Sequence, residues 1–198
     1  MDRDRELERP IVNVVGERVA LGPLRRDLLP AYQRWSNDLA AADRLGSLPR
    51  PVTLEGQTAW YDHEAAQITF TIYERAGWWA IGGCSLIEVD HRSETAKLVI
   101  LIGEADARGQ GYGTEAVRLL LDVGFTALGL HSVMLAVYEF NRAGRRAYEK
   151  AGFRECGRRR QARVMGGQRW DEVFMDCLAT EFTSPVLGRV FVPDGPRP

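Results

Sequence analysis

The sequence predicts a mixed α/β sheet flanked by helices. Three observations carry that reading. Two runs, Thr95–Gly103 and Ser132–Phe140, are apolar at consecutive positions, as strands covered on both faces are, and one amphipathic helical stretch separates them. The segment before them is rich in β-branched and aromatic residues. The chain then closes on two strand-like segments joined across Met165-Gly166-Gly167, which reads as an antiparallel pair.

The elements follow in order. Residues 1–13 are a charged N-terminal arm, and Gly16–Leu24 is a first strand with turn residues at both ends. "RDLLPAYQRWSND" is a helix with Pro30 near its start, where proline is tolerated. A loop holding Pro49 and Pro51 leads to a second helix, capped by Thr53. Strands at Gln67–Glu74 and in "GWWAIGGCSLIEVD" come next, with Gly82-Gly83 marking a bulge. Trp78 and Trp79 cannot both face inward on a regular strand. After Thr95–Gly103, Val117, Leu120, Leu121, Gly124 and Leu128 define one helical face, and Gly129 is a natural stop. Asn141 caps a short helix, "RAGRRAYEKA", which Gly152 ends. The tail from Thr183 carries prolines but also Val186, Leu187, Val190, Phe191 and Val192, an apolar set that favours an ordered contact with a partner in a homodimer over a disordered tail.

Composition narrows the function classes. The 198 residues suit one fairly large domain, with 45% hydrophobic and 27% charged residues. A net charge of −1 lacks the basic excess of a nucleic-acid binder. The N-terminus "MDRDRELERP" has no apolar signal region, and no apolar run approaches the ~18 residues of a membrane span. Neither a nucleic-acid nor a membrane partner is expected, and the reading is a cytoplasmic protein. Cys84, Cys156 and Cys177 are widely spaced and odd in number, which argues against a disulfide framework and a zinc site.

The informative stretch is "EADARGQGYGTEAVRLLLDVGF", Glu104 to Phe125. A P-loop would need a lysine that is absent, and a GxGxxG fingerprint would need glycine where Thr114 stands. Arg108-Gly109-Gln110-Gly111-Tyr112-Gly113 fits a third type of pyrophosphate cradle, Arg/Gln-x-x-Gly-x-Gly/Ala. Glycines let backbone N–H groups approach phosphate closely, and the helix start adds free donors and partial positive charge. A plain glycine-rich turn is the competing explanation.

Three blocks in order resemble the GNAT acyltransferase superfamily, in particular its RimJ/RimL-type branch: "LIGEADARGQGYGTEAVRLLLD", "LGLHSVMLAVYEFNRAGRRAYEKAGF" and "RWDEVFMDCL". The likeness runs from Val14 to Phe182, is strongest from Ile100 to Gly157, and leaves the tail 183–198 outside. It implies a mostly antiparallel sheet of six to seven strands, splayed where acetyl-CoA lies, and no metal. It implies that the backbone of Ile100, Leu101 and Ile102 pairs with the pantetheine arm. Arg108, Gly109, Gln110, Gly111, Tyr112, Gly113 and Thr114 would hold the pyrophosphate, and Asn141 would contact the CoA arm. Tyr148 matches a tyrosine that protonates the leaving thiolate in many members. The implied activity is direct acetyl transfer to a primary amine of a small molecule or a protein N-terminus. The alternative is a catalytically silent acyl-CoA sensor.

Many members carry a glutamate base where this chain has Lys97, in "TAKL". Glu88, Asp90 and Glu94 are the substitutes considered. The acceptor side falls within Trp35–Glu64, with Asp38, Asp43, Asp62 and Glu64 as amine attractors and Trp35, Trp60 and Tyr61 as slot walls or core. His131 reads as structural. Arg158–Arg160 read as a solvated strand edge or a contact for the CoA 3′-phosphate.

Overall fold

The computed structural model describes residues 9–44, 50–65 and 67–192. Residues 1–8 of the expected arm, Pro49, the Asp43 side chain and residues 193–198 of the tail lie outside what is described. The strands are β1 (Val14–Val15), β2 (Val19–Pro23), β3 (Ile68–Glu74), β4 (Ala80–Asp90), β5 (Thr95–Ile102), β6 (Ser132–Tyr138), β7 (Arg154–Met165) and β8 (Gln168–Leu178). The helices are α1 (Leu29–Ser36), α2 (Leu39–Arg44), α3 (Leu54–Glu64), α4 (Tyr112–Asp122) and α5 (Arg142–Ala151).

All eight strands form one sheet in the order β1-β2-β3-β4-β5-β6-β8-β7. Among the described residues only the β5–β6 pair is parallel. The sheet is one strand wider than expected, because Val14–Val15 pairs with Ala20–Leu21 and residues 11–13 continue alongside β2. Arg9 places its guanidinium 4.4 Å from the centre of the Trp78 ring. Trp79 is exposed, but strand parity is not the reason: β4 starts only at Ala80, and both tryptophans lie in the loop before it, Trp78 with φ of +57°.

One face of the sheet is covered by α4 and α5. Ala96, Leu98, Leu119, Leu120, Leu121, Val133 and Leu135 are buried there in a continuous core, with Ile100, Ile102 and Tyr148 packed against it. α1 covers part of the other face. Its Leu29, Tyr32 and Trp35 form a separate cluster that takes in Tyr61 of α3 and Leu101 of β5. Alternation along β5 thus sends Ile100 and Ile102 to one side and Leu101 to the other.

Three details depart from the sequence reading. The first helix begins as a 3₁₀ turn at Arg26–Leu28, with Pro30 in the first α turn. At Gly82-Gly83, the β3–β4 register does slip, between Ile72 and Tyr73, but Gly82 has a different steric reason. A Cβ there would lie 2.1 Å from the Leu101 carbonyl oxygen, so the glycine is what lets β4 and β5 approach. Finally, α4 ends in a wide π-helical turn, Val123–Ala127, before Gly129.

That turn is where the tail docks. Asp122 is fully buried; its Oδ1 accepts the Thr126 hydroxyl at 2.7 Å, and its Oδ2 accepts the N–H groups of Val186 and Leu187 at 3.0 and 2.8 Å. Phe182 packs on Phe125 with ring centres 5.3 Å apart. The tail up to Leu187 is thus ordered against its own domain, and Val190, Phe191 and Val192 stay exposed.

Candidate functional site

The site begins where two strands part. β5 and β6 pair only at Thr95↔Ser132, Ala96↔Val133 and Lys97↔Met134. Beyond that point β5 continues its ladder with β4 as far as Ile102, and β6 continues with β8 as far as Tyr138. Each strand follows its other neighbour, so a wedge opens between them. The edge of β5 from Leu98 to Ile102 then faces the wedge and not a strand.

A cavity of about 320 Å³ fills this wedge. Ile100, Leu101 and Ile102 form one wall, Asn141 and Tyr148 lie on the opposite one, and Arg108, Gly109, Gly111, Gly113 and Thr114 line its end. Gln110 and Tyr112 do not reach it. They border a neighbouring hollow with Trp79 and Glu104. Ten of the twelve residues singled out in the sequence therefore meet at one cavity.

The glycine run is shaped by backbone conformation. Gly109 and Gly111 have φ of +76° and +87°, in the left-handed region that side chains disfavour. Gly111 directly precedes α4, so the first N–H groups of that helix open toward the cavity end. The loop is braced from outside by Arg18, whose Nη1 donates to the Gln110 carbonyl at 2.8 Å and whose guanidinium covers the Tyr112 ring at 4.5 Å. Glu115 in turn accepts the Arg18 N–H at 2.9 Å.

Arg108 does not extend toward the cavity end as a free cation. Its Nε donates to the Ile102 carbonyl at 2.9 Å, and its Nη2 donates to the Gly103 carbonyl at 2.7 Å and to Asp38 Oδ2 at 2.8 Å. Asp38 Oδ1 accepts the N–H groups of Ala40 and Ala41 at 3.1 and 3.3 Å, capping α2. The Arg108 hydrogen bond, helped by those N–H groups, holds the Asp38 carboxyl below its usual range. Arg108 thus fastens the end of β5 to α2 while it borders the cavity end, and the Asp38 carboxylate is engaged with it and not free.

Asn141 caps α5 through its side chain, which accepts the Gly144 N–H at 3.0 Å. Tyr148 lies on α5, edge-on to Phe153 with ring centres 6.1 Å apart. Burial pushes its phenol up to about 12, so it is a proton donor at any ordinary pH.

On the α1–α3 side most expected groups are engaged elsewhere. Trp35 is core: it is buried, packs on Tyr32 at 5.6 Å, and donates from Nε1 to Glu104 at 2.9 Å. A Cβ at Gly103 would fall 2.3 Å from its ring. Glu104 also pairs with Arg34. Asp62 pairs with Arg26, whose guanidinium lies over Tyr61 at 4.9 Å. Trp60 is partly exposed and edge-on to Tyr32. His131 sits at the closed end of the wedge, its N–H donating to the Glu94 carbonyl. Arg158 pairs with Glu139, Glu155 and Asp171, and Arg159 with Glu172, as on a solvated edge.

Sequence reasoning missed two polar arrangements. One is the Asp122 anchor. The other is a hydroxyl chain on β3 and β4, where Thr69 Oγ1 lies 2.9 Å from Glu64 Oε2 and 3.0 Å from Ser85 Oγ. Neither leaves a recognisable motif, since each is completed by a link between separate elements, Asp122 to Val186 and Leu187 in one and Thr69 to Ser85 in the other.

Among the described residues no group of His, Cys, Asp and Glu is placed to hold a metal ion, and no helix is long and apolar enough to cross a membrane.

The profile of the acetyltransferase (GNAT) domain matches residues 18–154. The human alpha/beta-tubulin-N-acetyltransferase 9 is 27% identical over 157 residues, covering 72% of this chain and 75% of that protein. The mouse protein of the same name is also 27% identical, and there the match spans 64% of the relative's length. The Escherichia coli K12 spermidine N(1)-acetyltransferase is 35% identical over 72 residues, 36% of this chain and 38% of that one. In fold, the chain is similar to a spermidine N-acetyltransferase from Vibrio cholerae solved with CoA and spermine. The TM-score is 0.76 at 23% identity, covering 84% of this chain and 98% of that one. A GNAT-family acetyltransferase from Bacillus anthracis gives a TM-score of 0.74 at 18% identity, covering 85% and 99%.

Proposed function

We infer that this chain, which belongs to the GNAT acetyltransferase family, binds acetyl-CoA in the β5–β6 wedge and acetylates a primary amine. The observation that carries the reading is the wedge itself: an unpaired strand edge, a left-handed glycine loop at a helix start, and a protonated phenol converge on one cavity. These residues fit the group. The edge of Ile100–Ile102 suits the amides of a pantetheine arm, and the N–H groups from Gly109 to Thr114 suit a pyrophosphate. Bound acetyl-CoA supplies an activated thioester. Asn141 holds the start of α5 in place, and α5 aims Tyr148 at the cavity, where its hydroxyl gives a proton to the departing sulfur.

The acceptor is taken to be a small-molecule or peptide amine. The relatives are named for both a polyamine and tubulin, and the RimJ/RimL-type blocks agree with either class. The test is thiol release from acetyl-CoA over a panel of peptides, polyamines, amino acids and aminoglycosides, with acetyl-CoA binding followed by calorimetry. Binding with turnover on one amine class is the expected result. No binding of acetyl-CoA would overturn the reading.

A further inference from the structure

Acetyl transfer to an amine needs a destination for the amine's proton. An acceptor amine is mostly ammonium near neutral pH and attacks only once deprotonated. The carboxylates considered beside β5 do not supply the base. Glu88 is exposed, 3.7 Å from Lys97 Nζ. Asp90 accepts the N–H groups of Arg92 and Ser93 and the Ser93 hydroxyl. Glu94 sits in a turn with φ of +54°, its carbonyl holding the start of β6.

A different carboxylate lies on the α1–α3 side. Glu64 ends α3, and its side chain is only 17% exposed. It is joined to Ser85 through buried Thr69. A hydroxyl has one proton and a carboxylate only accepts. Thr69 Oγ1 faces both Glu64 and Ser85 as the donor, and its one proton goes to the carboxylate. Ser85 Oγ keeps its own proton, which must turn toward Thr69 for a relay to run, and has a lone pair that can accept. The register sets Ser85 opposite Val99 and Ile87 opposite Lys97, all on the face away from α4. Val99 is the first residue of that face past the point where β5 parts from β6, and it is 36% exposed. The chain of hydroxyls thus ends on β4, one strand in from the β5 edge that opens on the wedge, on the sheet face opposite Tyr148.

We propose that Glu64, acting through Thr69 and Ser85, takes the proton of the acceptor amine. The inference rests on the acetyl-transfer reading. A lone pair of Ser85 Oγ accepts the proton of the ammonium, the Ser85 proton passes to Thr69 Oγ1, and the Thr69 proton passes to Glu64 Oε2. The amine keeps the electron pair that forms the bond to the acyl carbon, and the carboxylate becomes a carboxylic acid. Ser85 is the group that touches the amine; Thr69 and Glu64 work through it. The other charged groups near Glu64 are His63, with Nε2 4.0 Å from Oε1, and the Arg26–Asp62 pair. Lys97 and Glu88 lie further along β5 and β4.

The test uses the full chain with Ser85→Ala, Glu64→Gln and Thr69→Val. It measures kcat from about pH 6.5 to about 10.5 on the amine that the wild type acetylates best. Acetyl-CoA affinity is followed in parallel. Near neutral pH kcat should fall about tenfold or more, with acetyl-CoA affinity unchanged. The deficit should shrink as pH approaches the pKa of the amine, because free amine needs no base. Thr69 is buried and its variant is at risk of misfolding, so the Ser85 and Glu64 variants decide. A wild-type profile in both, or an equal loss at every pH, overturns the relay alone. A wild type that binds acetyl-CoA but turns over no amine overturns the transfer reading and the relay with it.

Discussion

The two faces that meet at the wedge are built by different means. On the α4–α5 side, the cavity is made by a strand edge, a helix start, two left-handed glycines and a capped short helix. Those features follow from local sequence. On the α1–α3 side, the contacts are side chain to side chain across long separations, such as Arg108 to Asp38, Trp35 to Glu104 and Thr69 to Ser85. A face held by backbone geometry keeps its shape under most side-chain substitutions. A face held by paired side chains changes with each of them, which is the property expected of the side that selects an acceptor.

Tyr148→Phe tests the backbone-built face most severely. It removes the phenol proposed as the proton donor and keeps the ring that packs on Phe153. Turnover should fall about 100-fold, in the range of a lost general acid, with acetyl-CoA affinity unchanged. The pH profile adds a second check. With its pKa raised to about 12, the phenol stays protonated, so wild-type turnover should not decline from loss of this acid below about pH 10. The same shift bears on stability. The folded-state value lies above the ordinary 10, so the contribution is fully present below pH 10 and is lost as pH rises toward 12. Tyr148→Phe should flatten that alkaline loss in a denaturant series.

Asp122→Ala probes the exception on the same face, a long-range side-chain link beneath α4. Three donors would lose their acceptor, at a cost of roughly 2 kcal/mol. A lower unfolding midpoint and faster proteolysis within 183–192 would show that Asp122 anchors the tail. An unchanged cleavage pattern would mean that Phe182 on Phe125 suffices.

Gly111→Ala comes next. A left-handed residue with a side chain costs ~1–2 kcal/mol, and the φ here is +87°. Calorimetry should show acetyl-CoA affinity reduced about tenfold if relieving that strain turns the loop N–H groups away.

How far the sequence was legible follows the same division. The two strands that flank the wedge, the α4 stripe and the caps at Thr53 and Asn141 were all readable, because periodicity and capping are local, whereas the strand order is not. Ile100, Gly111 and Tyr148 converge as the motif blocks implied. Arg108 was only half legible. The motif places it at the cavity end, which it borders, but the partner of its guanidinium, Asp38, lies 70 positions away. The hydroxyl chain was invisible for the same reason. Thr69 and Ser85 look like ordinary strand residues until the β3–β4 register sets them side by side.

The smallest effect carries the sharpest discrimination between the two faces. If Arg108 belongs with the side-chain-built half, Arg108→Lys and Asp38→Asn should act on the same quantity. Lysine has no planar fork, so it cannot serve the Ile102 and Gly103 carbonyls and Asp38 together. Each variant should raise the acceptor KM several-fold and leave acetyl-CoA affinity as it is. The double variant should show a coupling of about 0.5–1 kcal/mol, since both side chains are partly solvated. Amide exchange in α2 should quicken in all three, because Asp38 caps that helix only while Arg108 holds it. Weaker acetyl-CoA binding with an unchanged acceptor KM would return Arg108 to the phosphate, and the boundary between the faces would then run through α2 itself.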